Sequence, residues 1–477
     1  MAQWSGYPAG SSSGKYIDTR GDLRAEVNLS GGIYTGLNSF DIGENQSVNE
    51  YGWDTDENYP AKTTAKAPVA YGVSGGARTN LLTHFGNMDL VRAVGTSLQF
   101  NGSGSWQNIS GGFANVEWSA TNFDVNGPAL IMTNGTDSVR YWDGATLKTL
   151  SAAPKGRIIA ADNLRVFISD APSDDSQDWI HYCKFQDATD WTAEENAGTV
   201  QYYTPNGGPV TAMISYGGCI WVFKKDSFAL IYHTGDSRAF YRLVPSSDNI
   251  GCVNKKTLVD MGQFLAWLGQ DDVYIGAAGA ANRVGEPVRT FIKRINQTYL
   301  SKCCAFTDGL RYYLNLVIDN ATEPNIRLVY DVRFKIWQVA GINEQYIYGT
   351  YFNNEVYAGN PSGQTFKLNA APTNGAWMVE TKDFDRSEAE KEYNEIREQM
   401  YAPTGTAVKF EVSIDQGTTW YQIGDPIVGS SSAQNQNIII PLDTVPLANW
   451  IRFRFSGTGP FRLYSFERYF KVHPIQI

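Results

Sequence analysis

Four histidines, His84, His181, His233 and His473, stand far apart in the chain. None forms the HxxxH or HExxH spacing that sets two imidazoles on one helix face to hold a metal. Adjacent carboxylates occur at Asp174-Asp175 and Asp271-Asp272. Such a pair could serve a glycosidase, where one acid protonates the leaving oxygen and a second attacks or activates water, but neighbouring acids in loops are ordinarily solvated. The stretch Asp54-Thr55-Asp56-Glu57-Asn58 opens like a calcium loop, with side-chain oxygens at alternate positions. The Gly such a loop needs next is Tyr59, and the closing Glu is replaced by Ala65, so Asx-turn chemistry is the expectation. No GxSxG elbow or GxxxxGK phosphate loop occurs, and Gly75-Gly76 and Gly207-Gly208 read as turns. The cysteines Cys183, Cys219, Cys252, Cys303 and Cys304 include no CxxC pair and read as free, buried thiols. No catalytic residue, metal site or cofactor is therefore expected.

The elements that would carry these residues are short strands. Aromatics make up 13 % of the 477 residues, Gly is counted at 46, and charged residues reach only 18 %. That balance favours strands joined by tight turns over long helices. A unit recurs in which an apolar strand, a Gly/Asn/Asp turn and an aromatic-rich strand follow one another. Its instances are SLQFNGSGSW at 97–106, ALIMTNGTDSVRYW at 129–142, RIIAADNLRVFI at 157–168 and VTAMISYGGCIWVFKKDSFAL at 210–230. LVDMGQFLAWLGQDDVYI at 258–275, the two strand pairs within 305–337 and YIYGTYFNNEVYAGNPSGQTFKL at 346–368 complete the set. Asn-Gly, Asp-Asn, Gly-Gly and Asn-Asn turns accept the positive backbone angles of tight hairpins. Units of this spacing match the blades of a β-propeller, each burying its faces against its neighbours. The expected fold is all-β: an extended N-terminal arm over 1–76, a propeller of about seven blades over 77–371, and a β-sandwich over 372–477. Two β-sandwiches in tandem are the alternative.

Within the last segment, SEAEKEYNEIREQ at 387–399 has helix-forming composition, whereas 408–414, 437–442, 450–455 and 462–470 alternate like half-buried strands. The sharpest local motif, SIDQGTTW at 413–420, resembles the Asp-box, SxDxGxTW, of sialidases and other propellers. The resemblance implies a hairpin brace built by Ser413, Asp415, Gly417, Thr419 and Trp420, remote from any catalytic centre.

The formal net charge of −10 argues against a surface that grips phosphates. The first residues are small and polar and lack the charged start and apolar run of a signal peptide, and no stretch is long and apolar enough to span a bilayer, so no membrane insertion is expected.

Three pieces resemble structural proteins of bacteriophage tails. SGGIYT at 30–35, DIGENQS at 41–47 and NEYGWD at 49–54, with Gly31, Gly32, Asp41, Asn45 and Gln46 at the matching positions, resemble the opening of many phage propeller proteins. DNIGC at 248–252 and FLAWLGQDDVY at 264–274, with Gly251, Trp267, Leu268, Asp271 and Tyr274, resemble the packaged-DNA stabilisation and tail-hub proteins of short-tailed phages. VETKDFD at 379–385 resembles the sandwich that follows such propellers. The family's basic residues after the opening Asp are replaced here by the acidic run Asp54 to Glu57. The resemblance implies a virion tail protein assembled in the host cytoplasm: a homo-oligomeric nozzle ring, commonly of six copies, below portal and adaptor proteins. Such a ring carries fibres or spikes and lets DNA pass during ejection and entry without binding it tightly. An arm over residues 1–68 is expected to lace onto a neighbouring subunit or the adaptor. Two alternatives stand beside this: a tail-tip or baseplate protein stacking host glycan on Trp179 and Trp191, and a propeller glycosidase with an arginine cluster facing paired acids.

Overall fold

The computed structural model describes residues 13–17 and 23–473, apart from 103, 163, 175–176, 193–195, 237–238 and 433. Among these, seven four-stranded antiparallel sheets follow one another. Blade 1 spans 79–111, blade 2 119–149, blade 3 158–201, blade 4 212–247, blade 5 259–283 and blade 6 304–342. Blade 7 takes three strands from 348–371, and its fourth is Ala67–Tyr71 from the other end of the propeller sequence. The first strand of each blade lies innermost, and the innermost strands of successive blades run side by side around a central channel. The repeating hairpins read from the sequence map one to a blade, so the architecture is a seven-bladed β-propeller.

Each blade is apolar on both faces because it is sandwiched between two others. The buried clusters therefore lie between blades. One joins Leu81 and Leu90 of blade 1 to Leu130 and Trp142 of blade 2 and to Tyr348 and Tyr357 of blade 7. Others join blades 2 and 3 through Ile131 and Ile168, 3 and 4 through Phe167 and Ile231, and 4 and 5 through Trp221 and Trp267. Leu268 and Leu314 belong to the cluster between blades 5 and 6, Val329 and Val356 to that between 6 and 7. A ring of blades needs no covering layer, but it needs closure, which Ala67–Tyr71 provides by pairing with Thr365–Ala371. This strand falls inside the stretch assigned from the sequence to the arm, so the propeller begins at Ala67 and not at 77.

The C-terminal region is a two-sheet β-sandwich. One sheet runs Ser13–Ile17, Leu23–Val27, Arg462–Val472, Lys391–Tyr401, Asn435–Pro441, with Trp53–Asp54 and Lys62–Thr64 attached. The other runs Ser47–Tyr51, Ala376–Thr381, Arg452–Thr458, Ala407–Ser413, Tyr421–Gln422, with Ile427–Val428 attached. Between them lie Phe410, Phe453, Phe455 and Phe466, and Trp377 stacks on Phe461 with centroids 4.5 Å apart. The N-terminal segment is extended, as expected, but its described part is spent inside its own chain. Its strands complete both sandwich sheets and the last blade. Residues 1–12 and 18–22 lie outside the described residues.

The run 387–399 also differs from its helix-forming composition, since Lys391–Tyr401 is an interior strand of its sheet, between Arg462–Val472 and Asn435–Pro441. Tyr393, Ile396 and Met400 turn into the core, and burial of these side chains between two partner strands outweighs the weak helix preference of Glu and Arg.

Candidate functional site

The first group of motif positions, Gly31, Gly32, Asp41, Asn45 and Gln46, comes together at the junction of sandwich and propeller. Gly31 donates its N–H to the Asn45 carbonyl at 2.9 Å, and Gly43 donates to Gln46 Oε1 at 2.7 Å, which curls 30–47 into a compact knot. The knot sits on the outer strand of blade 6, where the N–H of Ile33 donates to the carbonyl of Trp337 at 2.9 Å. Gly32 has φ +69, and a Cβ there would lie 2.2 Å from that carbonyl, so only Gly allows the approach. Thr35 reaches Pro287 beyond blade 5 through both its N–H and its hydroxyl. Asp41 is exposed on the knot's outer side.

The next residues continue the weld. Glu50 and Lys62 form an ion pair at 2.6 Å whose side chains are wholly buried, and Glu50 also accepts from the N–H of Val339 in blade 6 at 3.3 Å. A charge pair removed from water persists only when further hydrogen bonds satisfy it, as the Val339 contact does here. The acidic run then meets cations of blade 6. Arg311 donates to Asp54 Oδ2 at 3.1 Å and to the Thr55 carbonyl at 2.8 Å, and it also pairs with Asp308. Thr55 donates its hydroxyl to Asp331 Oδ2 at 2.5 Å, and Tyr59 stacks on Phe334 with centroids 3.6 Å apart. Burial acts to push the Asp54 carboxyl up, and Arg311 beside it opposes that. Arg311 thus neutralises part of the acidic run within the chain. Asp56 accepts from the N–H of Asn58 at 2.7 Å, the Asx-turn expected in place of a calcium loop.

The second group of motif residues organises the passage from blade 4 to blade 5. Trp267 is fully buried and donates its indole N–H to the Gly251 carbonyl at 3.1 Å. A Cβ on Gly251 would meet the Lys224 carbonyl at 2.3 Å, so the connector can press onto the blade 4 turn only with Gly there. Leu268 accepts from the N–H of Val253 at 3.0 Å. Asp271 accepts from the Tyr274 hydroxyl at 2.7 Å and pairs with Arg283 at 2.8 Å, while Asp272 accepts the N–H groups of Val273 and Gly285. Both acids of this pair are tied to local structure.

The Asp-box forms the predicted brace between Ala407–Ser413 and Tyr421–Gln422. Asp415 accepts from the Ser413 hydroxyl at 2.7 Å and the Thr419 N–H at 2.8 Å; Gly417, with φ +87, donates to Ser413 Oγ, and Trp420 donates to the Gly417 carbonyl. The bonds led by the Thr419 N–H hold the Asp415 carboxyl down at about 2. Arg454 lies 3.7 Å above the Trp420 ring, a contact the motif alone did not announce.

The remaining candidates stay dispersed. His181 meets Asp174 at 3.0 Å, His473 meets Glu392 at 3.1 Å, and Asp175 lies outside the described residues. Trp179 and Trp191 are half-buried, the latter donating to the Ala188 carbonyl at 2.7 Å. All five cysteines are free and buried, and burial pushes the Cys252 and Cys304 thiols up to about 12. Among the described residues no group of His, Cys, Asp and Glu could hold a metal ion, and no helix is long and apolar enough to cross a membrane.

Sequence reasoning missed the mouth of the propeller channel. The inner strands all begin at this end, and charged residues gather at their starts. Lys255 and Lys256, adjacent on a short helical turn before blade 5, reach in different directions: Lys255 Nζ to the Arg157 carbonyl before blade 3, at 2.8 Å, and Lys256 Nζ to Glu117 before blade 2, at 2.6 Å. Arg157 pairs with Asp170 at 3.0 Å, and Glu323 joins Arg78 and Lys302. Each of these three acids is held in its own ion pair. Lys-Lys carries no motif signal, because the fold alone brings its partners close.

No protein-family model matches the chain, and no curated protein matches it. Solved structures align with it at TM-scores below 0.5. The extracellular domain of the putative hybrid two component system BT4673 from B. thetaiotaomicron aligns at TM-score 0.41 and 9 % identity, over 75 % of this chain and 45 % of that one. BamB from Moraxella catarrhalis aligns at TM-score 0.39 and 11 % identity, over 68 % of this chain and 96 % of that one. The computationally designed Ika8 protein aligns at TM-score 0.38 and 11 % identity, over 63 % of this chain and 99 % of that one. The chain thus spans less than half the length of the sensor domain.

Proposed function

We propose that this chain is a structural subunit of a bacteriophage tail, part of a nozzle or hub ring below the portal and adaptor, and that it acts by assembly without catalysing a reaction. The observation that carries the reading is the weld between the two modules. The residues that resemble the phage opening, Gly31, Gly32, Asn45 and Gln46, build the knot that fastens the sandwich to blade 6, with Glu50–Lys62 and Asp54–Arg311 behind it. A conduit subunit transmits load between neighbours, portal and fibres, and buried cross-links between its modules suit that task better than a flexible linker would. Copies would meet through heterologous contacts that close by rotation, for which six is the family's usual number.

The propeller's own channel is crossed by Lys255 and Lys256, so the DNA path in this proposal is the opening at the centre of the ring of subunits. A net charge of −10 suits a wall that DNA slides past, because a surface that does not neutralise phosphates releases no counterions and gains no affinity. Mass spectrometry of purified phage particles, together with light scattering of the recombinant chain, tests the reading. Its presence at ring stoichiometry in particles is expected. A chain absent from particles and monomeric at high concentration would refute it.

A further inference from the structure

We propose that the mouth of the propeller channel binds a small organic monocarboxylate bearing an apolar group, with Lys255 receiving the carboxylate and the inner strands of blades 2 to 4 receiving the apolar part. The inference is independent of the tail assignment and adds a ligand site to the fold.

A cavity of about 370 Å³ opens here. That lies within the roughly 300–1,000 Å³ of small-molecule pockets. Its wall is part carbon surface, from Trp118, Ile158, Ala160 and Met213, and in equal part polar, with Thr121 and Ser215 beside the lysines. Such a wall suits a ligand with an apolar body and a polar end.

Charge at the lip favours an anion. Lys256 is neutralised by Glu117 at 2.6 Å and lies 5.4 Å from the centre of the Tyr348 ring; Arg157 is neutralised by Asp170 at 3.0 Å. Lys255 has one hydrogen bond, to the Arg157 carbonyl, and no carboxylate partner among the described residues. An ammonium carries three N–H donors, so two remain for a ligand. With Arg78 and Lys302 on Glu323, five cations meet three anions around the mouth, so the excess is positive and favours an anion. The carbon part of the wall favours a carboxylate that carries an apolar group over inorganic phosphate.

The same ammonium supplies a second signature. Burial pushes the Lys255 amine down to about 8, with Glu117 and Asp170 opposing and Lys256 and Arg157 adding to the fall. Below that pH the amine is charged and ready for an anion; above it the amine is neutral and the attraction is lost. Binding of a carboxylate therefore takes up protons near pH 8 and weakens as pH rises beyond it.

Titration calorimetry of the full chain tests this with benzoate and hexanoate, using hexanol and inorganic phosphate as comparisons. Saturable binding of at least one of the two carboxylates is expected at pH 7, with affinity lower by about tenfold or more at pH 9.5 and in Lys255→Gln, and kept in Lys255→Arg. Thermal melts of both variants establish that each is folded. Neither carboxylate binding at up to about 10 mM, hexanol or phosphate binding as well as hexanoate, or unchanged affinity in folded Lys255→Gln would each overturn the proposal.

Discussion

The substitution Glu398→Gln should remove a fall in stability that the native chain suffers as the pH rises from about 5 to 8. Glu398 lies on the interior strand Lys391–Tyr401, opposite Phe466 on one side and Ile438 on the other. It is 0 % exposed, and neither carboxyl oxygen has a hydrogen-bond partner. Burial alone pushes its carboxyl up from 4.5 to about 8. Between those values the folded chain holds a proton that the unfolded chain has released. Stability is therefore complete below pH 4.5, declines through the interval and levels off above pH 8. Each pH unit contributes about 1.4 kcal/mol, so the gap sets a ceiling of about 5 kcal/mol, reduced in practice by local relaxation and water entry. An amide at this position keeps the shape of the protonated acid and cannot ionise. Urea denaturation followed by tryptophan fluorescence, in steps from pH 5 to 9, should give curves for the two proteins that coincide near pH 5 and diverge with the variant more stable by several kcal/mol, about 3 or more, at pH 9. Parallel curves across the series would show that Glu398 is ionised in the fold or reaches water, and would refute the reasoning.

Further consequences concern the weld and the closure of the ring. Gly32→Ala forces a Cβ against the Trp337 carbonyl at a positive φ, and should lower stability by about 3 kcal/mol and split the calorimetric transition of sandwich and propeller into two. Arg311→Met leaves the buried Asp54 carboxylate without its partner and should cost about 3–5 kcal/mol in denaturant titrations, with Asp54→Asn in the same chain recovering part of the loss. Deleting residues 1–71 removes the closing strand Ala67–Tyr71 from blade 7, and limited proteolysis should then cut the blade 7 strands that are protected in the full chain.

The seven hairpin units were legible because turn chemistry is local: Asn134-Gly135, Gly217-Gly218 and Asn353-Asn354 lie in turns within or between their strands, as their residue types require. The Asp-box was legible for the same reason, since every brace bond lies within 413–420. The closing strand was not, because Ala67–Tyr71 has a half-exposed pattern and a partner near residue 367, and no local signal encodes a pairing that distant. Lys391–Tyr401 concealed its alternation differently. Register shifts at Tyr393/Glu395 and Gln399/Met400 break the two-residue period, leaving charge as the visible feature. The motif glycines were visible as turns, but the surfaces they approach, the Trp337 and Lys224 carbonyls, exist only once the blades have formed. The channel mouth needs the innermost strands of several blades in place before its charges meet, so it had no signature at all.

Electron cryo-microscopy of intact phage particles tests the central claim most directly. The account predicts a closed ring beneath the portal and adaptor in which each subunit fits a seven-bladed propeller with its sandwich fixed to blade 6, and in which DNA occupies the ring's axis. Particles whose portal-proximal rings contain no such subunit would contradict it.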